Sequence, residues 1–142
     1  MQDRPSALEL LASVRVFLED DVVPALEGRR RFHALVAANV LGIVERELAG
    51  EEAQLRAEWG RLAALLETPG TRPERHEALR ASVREMTETL SARIRAGDAD
   101  TGDLAERVRA HLRQTTLEKL AVANPRFAGD QAAAATPPRA RT

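Results

Sequence analysis

Arg29-Arg30-Arg31-Phe32-His33-Ala34-Leu35-Val36-Ala37-Ala38-Asn39-Val40-Leu41-Gly42-Ile43-Val44-Glu45-Arg46-Glu47 is the stretch on which the fold turns. Three arginines open it. Apolar residues then occupy every side of the helix it forms, interrupted only by His33 and Asn39. A surface helix shows one apolar stripe, whereas a helix apolar all round is buried as the central strut of its domain. Polar side chains inside such a strut need partners, so His33 and Asn39 are expected to fix a unique packing, a protein partner or a ligand. Asn39 lies one helical repeat from Phe32 and Arg46, on the face that also holds Leu35, Val36 and Ile43. A buried Asn left without hydrogen bonds costs roughly 1–3 kcal/mol. Its expected partner is a neighbouring helix, where it sets register as buried polar residues do in coiled coils; a subunit interface and a ligand contact are the alternatives.

Working outward, helical signals dominate on both sides and no strand pattern appears. Ser6-Ala7-Leu8-Glu9 has capping-box spacing. Leu10, Leu11, Val14, Phe17, Leu18 and Val22 then make one apolar stripe, which Pro24 and Gly28 end. The central helix is expected from about Arg29 to Ala49, with Gly50 as a break or kink, and Leu55, Trp59, Leu62 and Leu66 recur at helical spacing beyond it. Thr68 to Pro73 reads as a turn, with Pro73 suited to a first helical position. Leu79, Val83, Met86, Leu90 and Ile94 form the next stripe, ending at Gly97. A last helix from about Asp103 to Ala123 carries Leu104, Val108, Leu112 and Leu120 and stops at Asn124-Pro125. Short loops favour antiparallel neighbours. The expectation is an all-α, up-down bundle of four to five helices over residues 1–128, followed by a disordered Ala/Pro/Arg-rich tail over residues 129–142.

A chain of 142 residues is one domain's worth. Its 21 basic and 22 acidic residues leave a formal net charge of −1, which argues against a nucleic-acid footprint. Lys119 is the only lysine. Cysteine is absent, which excludes disulfides, thiol catalysis and cysteine-ligated zinc. Met1 to Pro5 lacks the regions of a signal peptide, and the longest nearly apolar run, Ala34 to Val44, falls far short of the ~20 residues that span a bilayer. A soluble, cytoplasmic protein without membrane association is expected.

Candidate chemistry is sparse. His33, His76 and His111 fall on three different expected helices, outside any H-E-x-x-H or Glu-x-x-His pair, so they read as structural or solvated. His33, with its apolar neighbours, stands out among them. Ser6, Ser13, Ser82 and Ser91 lie in no nucleophile elbow and no Ser-x-x-Lys pair, and no Gly-x-x-x-x-Gly-Lys phosphate cradle occurs. Glu45 and Glu47 point to different helix faces and make no acid–base dyad. The aspartates of Asp98 to Asp103 lack the bidentate Glu of a calcium loop. Arg29, Arg30 and Arg31 open a helix whose dipole prefers acids there, so Glu19, Asp20 and Asp21, solvent or a bound acidic group should compensate them. The chain reads as no enzyme, with no catalytic residues, metal or cofactor.

The run from Arg31 to Glu47, with Pro24-Ala25-Leu26-Glu27-Gly28 before it and Thr116 to Arg126 as its ending, resembles a bacterial family of small helical domains of unknown function, over roughly residues 3–127. Members of that family are typically encoded beside an aminoglycoside-phosphotransferase-like kinase and an acyl-CoA dehydrogenase. The resemblance implies a non-catalytic accessory subunit that binds such a kinase and supports phosphorylation of a hydroxyacyl-CoA, with the dehydrogenase acting in the same pathway. It marks Arg31, Phe32, His33, Asn39, Asn124 and Arg126 as family-specific; these and Arg46, one helical repeat from Asn39, are the candidate partner or ligand positions. Two alternatives stand beside it. One is a module that binds acyl-CoA or another phosphate ligand through the arginines and His33; the other is a self-associating bundle in which an exposed apolar flank of the central helix pairs two copies.

Overall fold

A computed structural model describes residues 4–68 and 70–127; the expected tail over 129–142 lies outside them. The architecture is all-α, a bundle of helices joined by short connections, with no strand among the described residues. In chain order the helices are α1 (Ala7–Phe17), α2 (Val23–Ala25), α3 (Gly28–Leu66), α4 (His76–Arg95) and α5 (Gly102–Ala123), with a single π-helical turn, Leu18–Val22, joining α1 to α2. The chain divides into two compact units, residues 1–51 and 52–142, and α3 contributes to both.

In the first unit the capping box is present as read: the Ser6 hydroxyl accepts from the Glu9 N–H (3.3 Å), and the Glu9 carboxylate accepts from the Ser6 N–H (2.6 Å). That bond to the Ser6 backbone holds the Glu9 carboxyl below its ordinary pKa. The π-helical turn precedes Pro24, whose ring has no N–H to give and would strike the carbonyl four residues back in a regular α-helix. Widening the turn accommodates it. Gly28, at φ +53°, then reverses the chain through a left-handed conformation that glycine adopts without strain.

α3 returns antiparallel to α1. Leu8 and Ala12 share a groove with Glu45 and Ala49, whereas Arg15, further along α1, lies against Gly42 and Glu45. The face of α3 that is covered consists of Ala34, Ala38 and Gly42, one small residue per turn. A Cβ added at Gly42 would meet the Arg15 Cδ at an ordinary contact distance of 3.5 Å and the Arg46 Nη1 more tightly, at 3.2 Å. Arg15 then donates from Nε to both oxygens of Glu45 (2.9 and 3.2 Å) and from Nη1 to Glu19 (2.8 Å).

This overturns the expectation of a buried strut. His33 and Asn39 are both exposed, as are the large residues Phe32, Leu35, Val36, Val40 and Val44. The first stripe divides in the same way: Leu11, Leu18 and Val22 are half-buried, while Leu10, Val14 and Phe17 are exposed. Gly50 neither breaks nor ends the helix, because α3 runs unbroken for 39 residues.

In the second unit Leu62 and Leu65 of α3, Leu79, Val83, Met86 and Leu90 of α4, and Val108 of α5 share one core, with Trp59 and Ile94 against it. The indole N–H of Trp59 donates to the Ser82 hydroxyl at 3.0 Å, which gives that half-buried ring a polar anchor on α4. α4 begins at His76, so Pro73 precedes the helix and does not open it. Its C-terminus is closed by Gly97 at φ +88°, with the Gly97 N–H bonded to the Ile94 carbonyl and the Asp98 N–H to the Arg93 carbonyl. These two bonds satisfy carbonyls that a helix end leaves open.

Candidate interaction surface

Large apolar side chains exposed to solvent are concentrated in the first unit. Among the described residues all but Leu112 and Phe127 lie between Leu8 and Leu48. On α1, Leu10, Val14 and Phe17 follow helical spacing and are about half exposed, at 53, 51 and 56%. On α3, Phe32, Val36, Val40, Val44 and Leu48 recur every fourth residue, a row that winds about 40° further round the helix at each step, with Leu35 beside it. Single exposed apolar residues are ordinary, but a contiguous set on one helical hairpin marks an interaction surface. The cause is local: α1 covers the small-residue seam of α3 and leaves the large residues outside.

The residues expected from sequence are distributed along the chain. Phe32 is 62% exposed, with the His33 ring edge-on to it at 5.8 Å. The Arg29 Nε donates to His33 Nε2 (3.1 Å), which occupies that nitrogen's lone pair. Arg30 and Arg31 are exposed and make no ion pair among the described residues, so Glu19, Asp20 and Asp21 do not compensate the arginine run. Arg31, Phe32, Asn39 and Arg46 lie along one side of α3 by helical spacing. Asn124 and Arg126 belong to the second unit. There Asn124 closes α5, its N–H bonded to the Leu120 carbonyl (2.7 Å) and its side-chain oxygen accepting from the Phe127 N–H (3.3 Å). Arg126 is exposed.

The polar cluster with internal order lies elsewhere, and sequence reading passed over it. His111, only 5% exposed, sits one turn from Val108 on the buried face of α5. Beside it Arg61 of α3 forms a two-pronged ion pair with Glu118 (2.9 and 2.6 Å), and Gln114 donates to the same carboxylate (2.9 Å). Burial, and then the Arg61 charge, push the His111 pKa down against the pull of Glu58 and Glu118. Burial raises the Glu118 carboxyl, but hydrogen bonds from Arg61 and Gln114 outweigh it and leave the pKa below its ordinary value. His111 Nδ1 and Arg61 Nε have no hydrogen-bond partner among the described residues. The signal available in sequence was the spacing Val108, His111, Thr115, Glu118, Val122, which alternates three and four residues and places His111 on the core side.

Among the described residues no group of three or more His, Asp or Glu side chains is arranged to hold a metal ion, and no helix is long and apolar enough to cross a membrane. No curated protein matches the chain, and no protein of solved structure matches it. A family model does match, described as a domain of unknown function (DUF6285), over residues 24–127. That span takes in α3, α4 and α5 and most of the chain, and the chain belongs to this family.

Proposed function

We propose that this chain is a non-catalytic binding subunit whose partner is a phosphotransferase-fold kinase acting on hydroxyacyl-CoA substrates in a bacterial cytoplasm. The observation that carries the binding role is the exposed apolar surface between Leu8 and Leu48. A helical hairpin with half-exposed Leu, Val and Phe side chains on both its helices gains free energy when a partner covers them, at roughly 25 cal/mol per Å² of apolar area. The identity of the partner comes from the family resemblance and its usual neighbours, the kinase and the acyl-CoA dehydrogenase. The α1 stripe Leu10, Val14 and Phe17 presents its anchors at the i, i+4 and i+7 spacing by which helices dock.

The test is co-expression with the phosphotransferase-fold kinase encoded nearest this gene. The kinase should co-purify with the wild-type chain and be lost from the Leu10→Ser/Val14→Ser/Phe17→Ser variant, with helicity of the variant checked by circular dichroism. A kinase that is soluble and fully active alone, and that never co-elutes, refutes the reading. A second reading rests on Arg30 and Arg31, exposed at the start of α3 without an acidic partner among the described residues: they could meet the phosphates of an acyl-CoA. Calorimetry with CoA esters decides it, since heat that Arg30→Ala/Arg31→Ala abolishes supports it and its absence at millimolar ligand removes it.

A further inference from the structure

We propose that the groove between α3 and α5 at His111 binds a small carboxylic acid, its carboxylate held by the basic side chains there and its hydrocarbon part laid on the apolar floor. One face of each helix builds the groove. From α5, Arg107, Ala110, His111 and Gln114 follow the three- and four-residue spacing of a single helical face, and from α3 come Arg61, Ala64 and Leu65. Between them lies an open cavity of about 440 Å³, inside the range of about 300–1,000 Å³ that small-molecule sites occupy. Both faces belong to the second unit, so the proposal is independent of the kinase reading and of the acyl-CoA reading, which concern the first.

Unpaired donors meet at this groove. His111 is only 5% exposed, yet its Nδ1 has no hydrogen-bond partner among the described residues, and neither has the buried Nε of Arg61. A folded interior leaves few polar atoms in that condition, because each has lost its bonds to water without replacement. Here two of them belong to side chains that line one cavity. With its pKa below 6.5 the His111 imidazole is neutral at pH 7.5 and still carries one N–H to donate. The basic side chains are already fixed. Arg61 is held through Nη1 and Nη2 by Glu118 (2.9 and 2.6 Å), and Arg107 donates from Nη2 to the Ala64 carbonyl in the last turn of α3 (2.5 Å). Side chains ordered beforehand lose little further freedom when a ligand arrives. The lining also selects the ligand. Two guanidiniums and an imidazole supply donors and no acidic side chain lines the cavity, so the complementary group accepts hydrogen bonds and carries negative charge. Glu118 and Asp103, which pair with Arg61 and Arg107 from outside the lining, offset part of the positive charge. A monoanionic carboxylate therefore suits the groove better than a phosphate dianion. Leu65, Ala64 and Ala110 leave apolar surface for a short hydrocarbon chain.

The test uses the full chain at pH 7.5 with hexanoate, with hexanamide as its uncharged counterpart and inorganic phosphate as an anion without hydrocarbon. Hexanoate should shift the His111 imidazole signals in NMR, identified by their loss in His111→Gln, and should saturate with a Kd on the order of 1 mM. The signals of His33 and His76 should stay in place. Hexanamide and phosphate should each bind at least about tenfold more weakly. Ala110 is exposed, so Ala110→Phe sets a ring in the groove without entering the core, and it should abolish the shift while circular dichroism shows unchanged helicity. Arg107→Gln should weaken binding at least about fivefold. The variants Leu10→Ser/Val14→Ser/Phe17→Ser and Arg30→Ala/Arg31→Ala should bind hexanoate as the wild type does, which separates failure of this proposal from failure of the kinase and acyl-CoA readings. No shift at tens of millimolar hexanoate overturns the proposal. So does equal affinity for hexanamide, phosphate binding in place of hexanoate, or a shift that survives Ala110→Phe.

Discussion

His111 is a basic group enclosed by α5 and α3, with the Arg61 guanidinium beside it, so its folded-state pKa lies below the value near 6.5 that it has in the unfolded chain. The unfolded state therefore binds more protons as pH falls below about 6.5, and stability should decline from there down through the folded-state pKa. Thermal melts at pH 7.5 and 5.5 should show a lower Tm at the acid pH, and His111→Leu should flatten that difference; an unchanged slope in the variant would exclude His111 as its source. Glu118 acts in a separate window. Its lowered pKa contributes stability that is present above the ordinary carboxylate range and is lost only in stronger acid. Removing its charge at neutral pH strands Arg61, whose side chain is 24% exposed, so Glu118→Gln should cost about 1–3 kcal/mol in urea denaturation. Leu62, fully buried, should cost more: Leu62→Ala falls in the range of about 2–5 kcal/mol. Val36→Ala, on the exposed ridge, should move the midpoint little when the chain is dilute.

At the scale of elements, α3 shows what a sequence pattern conveys and what it omits. Its existence, its first residues and the helices after it were legible, because glycine at a helix end, the capping box of Ser6 and Glu9 and the 3.6-residue periodicity of α4 are local signals. Which side of α3 is covered was not legible. Apolarity all round is compatible with any covered side, and the choice is made by steric fit: Ala34, Ala38 and Gly42 let α1 approach, whereas Phe32 or Val40 would hold it off. The stripe of α1 misled for the same reason, and His111, read as structural or solvated, was not placed in the core because a histidine carries no apolar signal of its own. Gly50 was read as a break or kink, and the helix does not break there: a glycine inside a helix costs only about 1 kcal/mol relative to alanine, less than the hydrogen bonds that continuing the helix retains. The same arithmetic gives an expectation at Gly60, where a Cβ would meet nothing within 4 Å. Gly60→Ala should stabilise the chain by about 0.5–1 kcal/mol in chemical denaturation, and a loss of stability would show that the helix is bent or crowded there. Gly42→Val should do the opposite, because its methyl groups extend beyond a Cβ that already lies 3.2 Å from the Arg46 Nη1 and 3.5 Å from the Arg15 Cδ; a lower midpoint in the same denaturation would show it.

Over the whole molecule, burial is uneven. The described part of the first unit buries Val23, Ala34 and Ala38 as its apolar core, whereas the second buries large residues from three helices. Amides that open locally are those backed by few buried contacts. Hydrogen exchange should therefore be slowest in α4, α5 and the end of α3, and fastest in α1 and the first half of α3, and binding of a partner should slow exchange in the first unit selectively. Uniform protection along α3 would contradict this. One further consequence lies in Trp59. It is the only tryptophan in a chain without tyrosine, and its ring is fixed in the second unit by the Ser82 hydroxyl. Emission excited at the red edge of the ultraviolet band thus originates entirely from one half of the molecule, while circular dichroism integrates both. The protein carries its own optical label for the unit with the larger core, and a gap between the two melting curves would measure directly how independently its halves unfold.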